Sequence, residues 1–220
     1  MKNTMLLCAL FATLAVSVGA NAADTAELKV AGSVRPAACS LTISGNGIFD
    51  YGVIPVSQLA ATRATLLAQK QANVSVMCDG AARTAIKFSD NRSTSVSPDV
   101  ATLQYSYLYS FGLGAVNGKK IGAYAIWISN VKGDGTTYYP AVMLPNTFRW
   151  VGISGDPLYI SPDNRVITVG YPSMNTFSYP SFTTMTAVVT IQAAISYLSN
   201  LPATGEIPLD GAATLELEYL

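Results

Sequence analysis

The sequence predicts an all-β sandwich, and three observations carry that expectation. Apolar residues recur with a period of two in many short segments, Gly, Pro and Asn punctuate them, and no segment sustains a helical period. The clearest strand is the last. Ala213, Leu215, Leu217 and Tyr219 alternate with Thr214, Glu216, Glu218 and Leu220, which gives a strand one apolar face.

The chain starts on Lys2, an apolar run over residues 5–18, and small residues at Ala20 and Ala22. That is the pattern of a secretory signal peptide over residues 1–22, cut after Ala22 or, as the alternative, after Ala23. The run is shorter than the roughly 20 residues a bilayer-spanning helix needs. Cys8 would point to a lipoprotein, but Leu7 precedes it where a small residue belongs, and it leaves with the signal.

Residues 23–220 read as a single domain. Residues 27–34 place Leu28, Val30, Gly32 and Val34 on one side of an extended segment that Pro36 ends. Residues 48–54, 74–77 and 84–88 are further short strands. Residues 58–71 hold the one plausible helical turn, and residues 90–99 form a polar loop. Tyr105, Tyr107 and Tyr109 alternate within residues 102–109, and residues 121–129 form an aromatic-rich strand. Asn117-Gly118, Asp134-Gly135 and Gly155-Asp156 read as hairpin turns. Residues 138–144, 147–153, 166–169, 183–197 and the terminal strand complete the set, with an aromatic-rich insertion over roughly residues 89–180.

Composition narrows the function. Removing Lys2 from the 13 basic residues leaves 12 against 13 acidic ones, so a nucleic-acid partner has no basic surface to meet. Charged residues make up 12% of the chain, about half the usual share of roughly 25%. Ser, Thr, Asn, Gln and Tyr must therefore cover the surface, as suits a protein packed against copies or partners. Two cysteines survive processing, and in an oxidising compartment Cys39 and Cys78 pair as one disulfide. Closing that loop of about 40 residues stabilises by roughly 4 kcal/mol. The chain has no histidine, which removes Ser-His-Asp and Cys-His chemistry and leaves the cysteines without further soft ligands for a metal. Asp90, Asp99, Asp156 and Asp163 sit singly in loops, Asp134 lies in a hairpin turn rather than a calcium loop, and no phosphate-binding loop or dinucleotide fingerprint is present. Neither an enzyme nor a cofactor is expected.

Several segments resemble chaperone–usher pilins. Gly32-Ser33-Val34 leading to Ala37-Ala38-Cys39 looks like the start of the pilin first strand. Residues 49–54 (FDYGVI) are similar to the motif that follows it, and residues 74–78 (VSVMC) resemble the strand returning the second cysteine. Gly205, Gly211 and the penultimate Tyr219 resemble the C-terminal glycine-and-tyrosine zipper. Residues 111–124 and the ending LDGAATLELEYL look closer still to a fimbria-like exported group of unknown function (beta-fimbriae probable subunit type).

The resemblance implies an immunoglobulin-like sandwich whose final strand is missing, so that a neighbouring chain supplies it by β-augmentation. It implies a periplasmic chaperone, an outer-membrane usher and other pilin-like subunits as partners. The location implied is the periplasm and then the cell surface, in a fimbrium. Gly211, Ala213, Leu215, Leu217 and Tyr219 would form the partner-binding strand. Leu28, Val30, Gly32 and Val34 would be either the first strand or the donor segment. If they are the first strand, only residues 23–26 remain ahead of it to donate.

Two other classes compete. Trp127, Trp150, Tyr138, Tyr139, Tyr171, Tyr179 and Phe182 could stack on sugars in a carbohydrate-binding, adhesin-like module. Alternating strands with a terminal aromatic also suit a small outer-membrane β-barrel.

Overall fold

The computed structural model describes residues 26–101, 107–143, 150–152, 157–170, 180–202 and 205–220; residues 1–22, expected from sequence to be a signal peptide, lie outside them. The chain divides into two compact units, Met1–Arg35 and Pro36–Leu220. Of the first, residues 26–35 are irregular, with Leu28, Val30 and Val34 at 91%, 94% and 105% exposure. The first-strand reading of Leu28, Val30, Gly32 and Val34 is thereby corrected. Alternation alone does not make a strand without a neighbouring ladder to bond, and these residues have none.

The second unit is all-β. Its strands are β1 (Cys39–Ile43), β2 (Thr65–Leu66), β3 (Lys70–Ala82), β4 (Thr84–Asp90), β5 (Ser110–Gly112), β6 (Ala115–Val116), β7 (Lys119–Lys120) and β8 (Gly122–Gly133). They continue as β9 (Thr136–Thr137), β10 (Pro140–Met143), β11 (Trp150–Gly152), β12 (Leu158–Tyr159), β13 (Asp163–Val169), β14 (Phe182–Ile195) and β15 (Ala213–Tyr219). One sheet runs β1-β3-β14-β8-β12, with β2 added to β14 and both β5 and β9 to β8. The other runs β11-β10-β13-β4-β15. Strand pairs in both are antiparallel.

The two sheets meet over one apolar core. Val74 and Val76 of β3, Ile126 and Ile128 of β8, and Met185 and Val189 of β14 pack with Ile86 and Phe88 of β4 and Ile167 of β13. In β3 the buried residues Ala72, Val74 and Val76 alternate with more exposed ones, so a period of two puts one face inward. Each such fully buried side chain contributes about 1.5–3 kcal/mol.

Several expected elements differ. Residues 48–54 form no strand: Gly52 takes a positive φ of 62°, and its amide donates to Asp50 Oδ1 at 2.7 Å, turning the chain. The helical turn expected over residues 58–71 is replaced by a 3-10 turn at Val56–Gln58, then β2 and the start of β3. A short α1 (Pro98–Ala101) begins at the end of the polar loop instead. Residues 102–106 lie outside the described residues, and Tyr107–Tyr109 is a 3-10 turn.

Both described hairpin turns are present. Asn117 and Gly118 (φ 51° and 76°) join β6 to β7, and Asp134 and Gly135 (φ 45° and 81°) join β8 to β9. Gly155-Asp156 is outside the described residues. Residues 89–180 are no appendage: β8 is central to one sheet, and β10 and β13 belong to the other.

Candidate functional site

The C-terminal strand is where the expectation from sequence was sharpest, and β15 spans Ala213–Tyr219. It pairs antiparallel with β4, from Ala213 opposite Asp90 to Tyr219 opposite Thr84. Leu220 N donates to Arg83 O and Asn91 N to Ala212 O, both at 3.0 Å. Bonded positions alternate along an antiparallel pair, so even-numbered residues of β15 bond β4. The backbone N–H and C=O groups of Ala213, Leu215, Leu217 and Tyr219 therefore point to the outer edge. Among the described residues, no strand pairs with that edge.

Three features hold β15 in this register. Lys87 Nζ lies 2.9 Å from Glu216 and 3.5 Å from Glu218, and this raises the lysine pKa, chiefly through the Glu216 hydrogen bond. Arg92 donates to both oxygens of Asp210, Nε at 2.9 Å and Nη2 at 3.1 Å. The Arg92 guanidinium holds the Asp210 carboxyl below its ordinary pKa. Gly211 must be glycine, because a Cβ there would come within 2.8 Å of the Tyr124 ring. Burial raises the pKa of the Tyr124 phenol in turn, with Asp90 adding to the rise.

Across from β15 lies β1, the outermost strand of the other sheet. The Cys39–Cys78 disulfide forms, with the two Cα atoms 4.0 Å apart. Asp79 N donates to Ala38 O at 3.0 Å, so even-numbered residues of β1 bond β3. The amides of Cys39, Leu41 and Ile43 consequently face the outer edge. The two free edges mirror each other: on both, the outward-facing amides belong to the residues whose side chains turn inward.

Those inward side chains mark the site. Cys39, Leu41, Ile43, Ala213, Leu215 and Leu217 pack against the core yet are only half-buried, while Val74, Val76, Ile86 and Phe88 behind them are buried. Behind that row, Val74, Ile86, Phe88, Ile128, Ile167 and Met185 line an apolar cavity between the sheets. The edges meet at one end, where Cys39 N donates to the Tyr219 hydroxyl at 2.8 Å. Leu41 and Ile43, Thr84, and the Arg92–Asp210 pair were not singled out from sequence. Leu41 and Ile43 continue the period of two from Cys39 and could have been found that way.

Other candidate residues have local roles. Phe182 is 2% exposed and Trp127 6%, so neither presents a ring face. Trp127 stacks at a tilt on Tyr159, centroids 5.6 Å apart. Tyr138 packs against the core while Tyr139 is exposed. Trp150 falls in β11, and Tyr171 and Tyr179 lie outside the described residues.

The carboxylates are engaged nearby. Asp134 accepts from the Thr183 hydroxyl and from the amides of Thr183 and Thr184, which lower its pKa, the Thr183 hydroxyl most. Asp90 accepts from the Arg92 and Gly112 amides, Asp99 from Asn200, and Asp163 from Arg165; Asp156 is outside the described residues. Among the described residues no helix is long and apolar enough to cross a membrane.

Comparison with known proteins adds to this geometry. The model of a family described as a protein of unknown function (DUF1120) matches residues 28–125. Protein GltF of Escherichia coli (strain K12) is 27% identical over 247 aligned positions, covering 99% of this chain and 97% of that protein. Uncharacterized protein YhcF of the same organism is 27% identical, with both chains covered in full. The chain is thus similar along its whole length to GltF and YhcF, and over residues 28–125 to a family of unknown function.

Proposed function

We propose that this protein is an exported, pilin-like structural subunit whose sandwich is completed by a strand from another chain. A periplasmic chaperone supplies that strand first, and a neighbouring subunit supplies it on assembly at an outer-membrane usher. The observation that supports this most is the pair of edges, β1 and β15, with which no strand among the described residues pairs, each backed by half-buried apolar side chains. An open edge of this kind is a template for strand addition.

The position of β1 also favours the reading. Because the first strand starts at Cys39, residues 27–34 are left outside the sheets with Leu28, Val30 and Val34 exposed on one alternation. They are the donor segment in this proposal, with Gly32 completing the pattern. Donor and acceptor then belong to one sequence, and assembly is head-to-tail.

The test is assembly of purified mature protein lacking residues 26–35. The shortened chain is expected to remain monomeric by light scattering while binding a synthetic peptide of residues 26–35. Full-length protein is expected to form oligomers that the same peptide suppresses. Full-length protein that stays monomeric and ignores the peptide would falsify the proposal.

A further inference from the structure

We infer that Tyr219 is an end stop, which limits the strand this edge accepts to the stretch facing Ala213, Leu215 and Leu217. The inference rests on the strand-accepting reading above and adds the length and chemistry of the partner segment.

The phenol lies where an added strand would continue. Cys39 is the first of the β1 residues whose amides face outward, and that amide already donates to the Tyr219 hydroxyl at 2.8 Å. Tyr219 is 54% exposed and its hydroxyl reaches Cys39 of β1, so the side chain bridges the two edges rather than filling the core. Both anchors of this bridge are fixed. Cys39 is tied to Cys78 by the disulfide, and Tyr219 sits opposite Thr84 with Leu220 N bonded to Arg83 O beside it.

The floor at this end is polar as well. Thr84 is fully buried, and its hydroxyl has no hydrogen-bond partner among the described residues. Residues directly opposite in a ladder place their side chains on the same face, so this hydroxyl lies on the inward side with the Tyr219 ring. An apolar donor side chain pushed past Leu217 would meet a phenol and a buried hydroxyl, neither of which an alkyl group can satisfy.

At the other end, among the described residues, no strand pairs with either edge between Ile43 and Ala213. The partner strand therefore enters there and halts before Tyr219. It offers three inward positions at a period of two, matching Ala213, Leu215 and Leu217. Its occupant comes from residues 27–34 of a second copy: Leu28 and Val30 supply the large apolar side chains, Gly32 the position without one, and Val34, the fourth residue on that alternation, stays outside the three positions.

The test is amide hydrogen exchange on the mature chain lacking residues 26–35, whose edges no neighbour fills, residue by residue, with and without the synthetic peptide of residues 26–35. In this chain the peptide is expected to slow exchange at least tenfold at Leu41, Ile43, Leu215 and Leu217, leaving Cys39 and Tyr219 unchanged. In Y219F the Cys39 amide is expected to exchange at least tenfold faster in the free protein, and the peptide is expected to slow it again. The Tyr→Phe change keeps the ring and removes only the acceptor, so the variant folds. A footprint on the Tyr219 chain that already includes Cys39 and Tyr219, or a Y219F footprint that still excludes Cys39, overturns the end stop and leaves strand acceptance standing. No slowing at any of these amides overturns both.

Discussion

The two flanks of the sandwich are both built from antiparallel strands and end in opposite states. On one flank every residue of β8 from Gly122 to Ile128 is buried. Its outer edge is bonded to β5 and β12, and Phe111 stacks on Tyr124 with centroids 5.4 Å apart. On the other flank β1 and β15 keep a half-buried row of Leu41, Ile43, Leu215 and Leu217 along edges that no strand among the described residues pairs. The strands differ in content accordingly: residues 122–128 are apolar on both faces, whereas Ala213, Leu215 and Leu217 alternate with Thr214, Glu216 and Glu218. They differ also in whether the chain's own described residues cover the outer edge. One flank is finished as a core, and the other is built to core pattern and left uncovered.

Truncation on each flank should give unequal costs. Phe111→Ala removes a ring with no exposed surface and is expected to cost about 3–5 kcal/mol in urea unfolding. Leu217→Ala removes a side chain that is already half in water, so in the free protein it should cost only about 1–2 kcal/mol. Adding the peptide of residues 26–35 should widen the Leu217→Ala deficit, because the bound strand buries that position. Equal costs without peptide would show the open flank to be closed.

The disulfide belongs to the open flank alone and ranks next. The sequence separation of 39 between its cysteines predicts a loss of about 4 kcal/mol when Cys39 and Cys78 are both changed to Ser. The same change frees β1, so peptide binding should weaken together with stability. Unaltered binding by the destabilised double variant would mean that β1 is not part of the acceptor.

Two glycines sharpen the contrast on a smaller scale. A methyl at Gly122 would overlap the Ala194 carbonyl oxygen of β14, so Gly122→Ala should cost about 1–3 kcal/mol or fail to fold. Gly32 has nothing near its Cβ position, and Gly32→Ala should leave stability within about 0.5 kcal/mol of wild type. Thermal unfolding separates these outcomes directly.

How much of this was legible in the sequence follows from which signals are local. The terminal strand was, because seven alternating residues state both the strand and its inward face. Asn117-Gly118 and Asp134-Gly135 were, since a positive φ at both turn positions is a local demand. Residues 27–34 carry the same alternation and form no strand, because pairing depends on a neighbour that sequence does not display. Residues 48–54 failed for a different reason: the Asp50–Gly52 turn breaks a run whose apolar residues otherwise read as extended. Of the candidate site, β15 and the cysteine pair were visible. The closure by Tyr219 and Cys39, 180 residues apart, was not, since no spacing rule links them.

The smallest predicted effect concerns what holds β15 at its start. Asp210 has a lowered pKa because Arg92 hydrogen-bonds it. A carboxyl lowered by folding adds stability above its ordinary range, near pH 4, and loses it as pH falls through the folded value. Wild type should therefore lose this contribution in acid, whereas Asp210→Asn lacks it at every pH. The variant should be slightly less stable at pH 7, where solvent screens so exposed a pair, and the two pH curves should converge on acidification. Asp134 is lowered too, through Thr183 and Thr184, but it closes the β8–β9 turn. Asp134→Asn should therefore speed exchange of the Thr183 and Thr184 amides, while Asp210→Asn speeds that of Asn91, whose amide bonds Ala212. Parallel pH curves for wild type and Asp210→Asn would show that β15 keeps its register by its ladder and the Lys87 pairs alone.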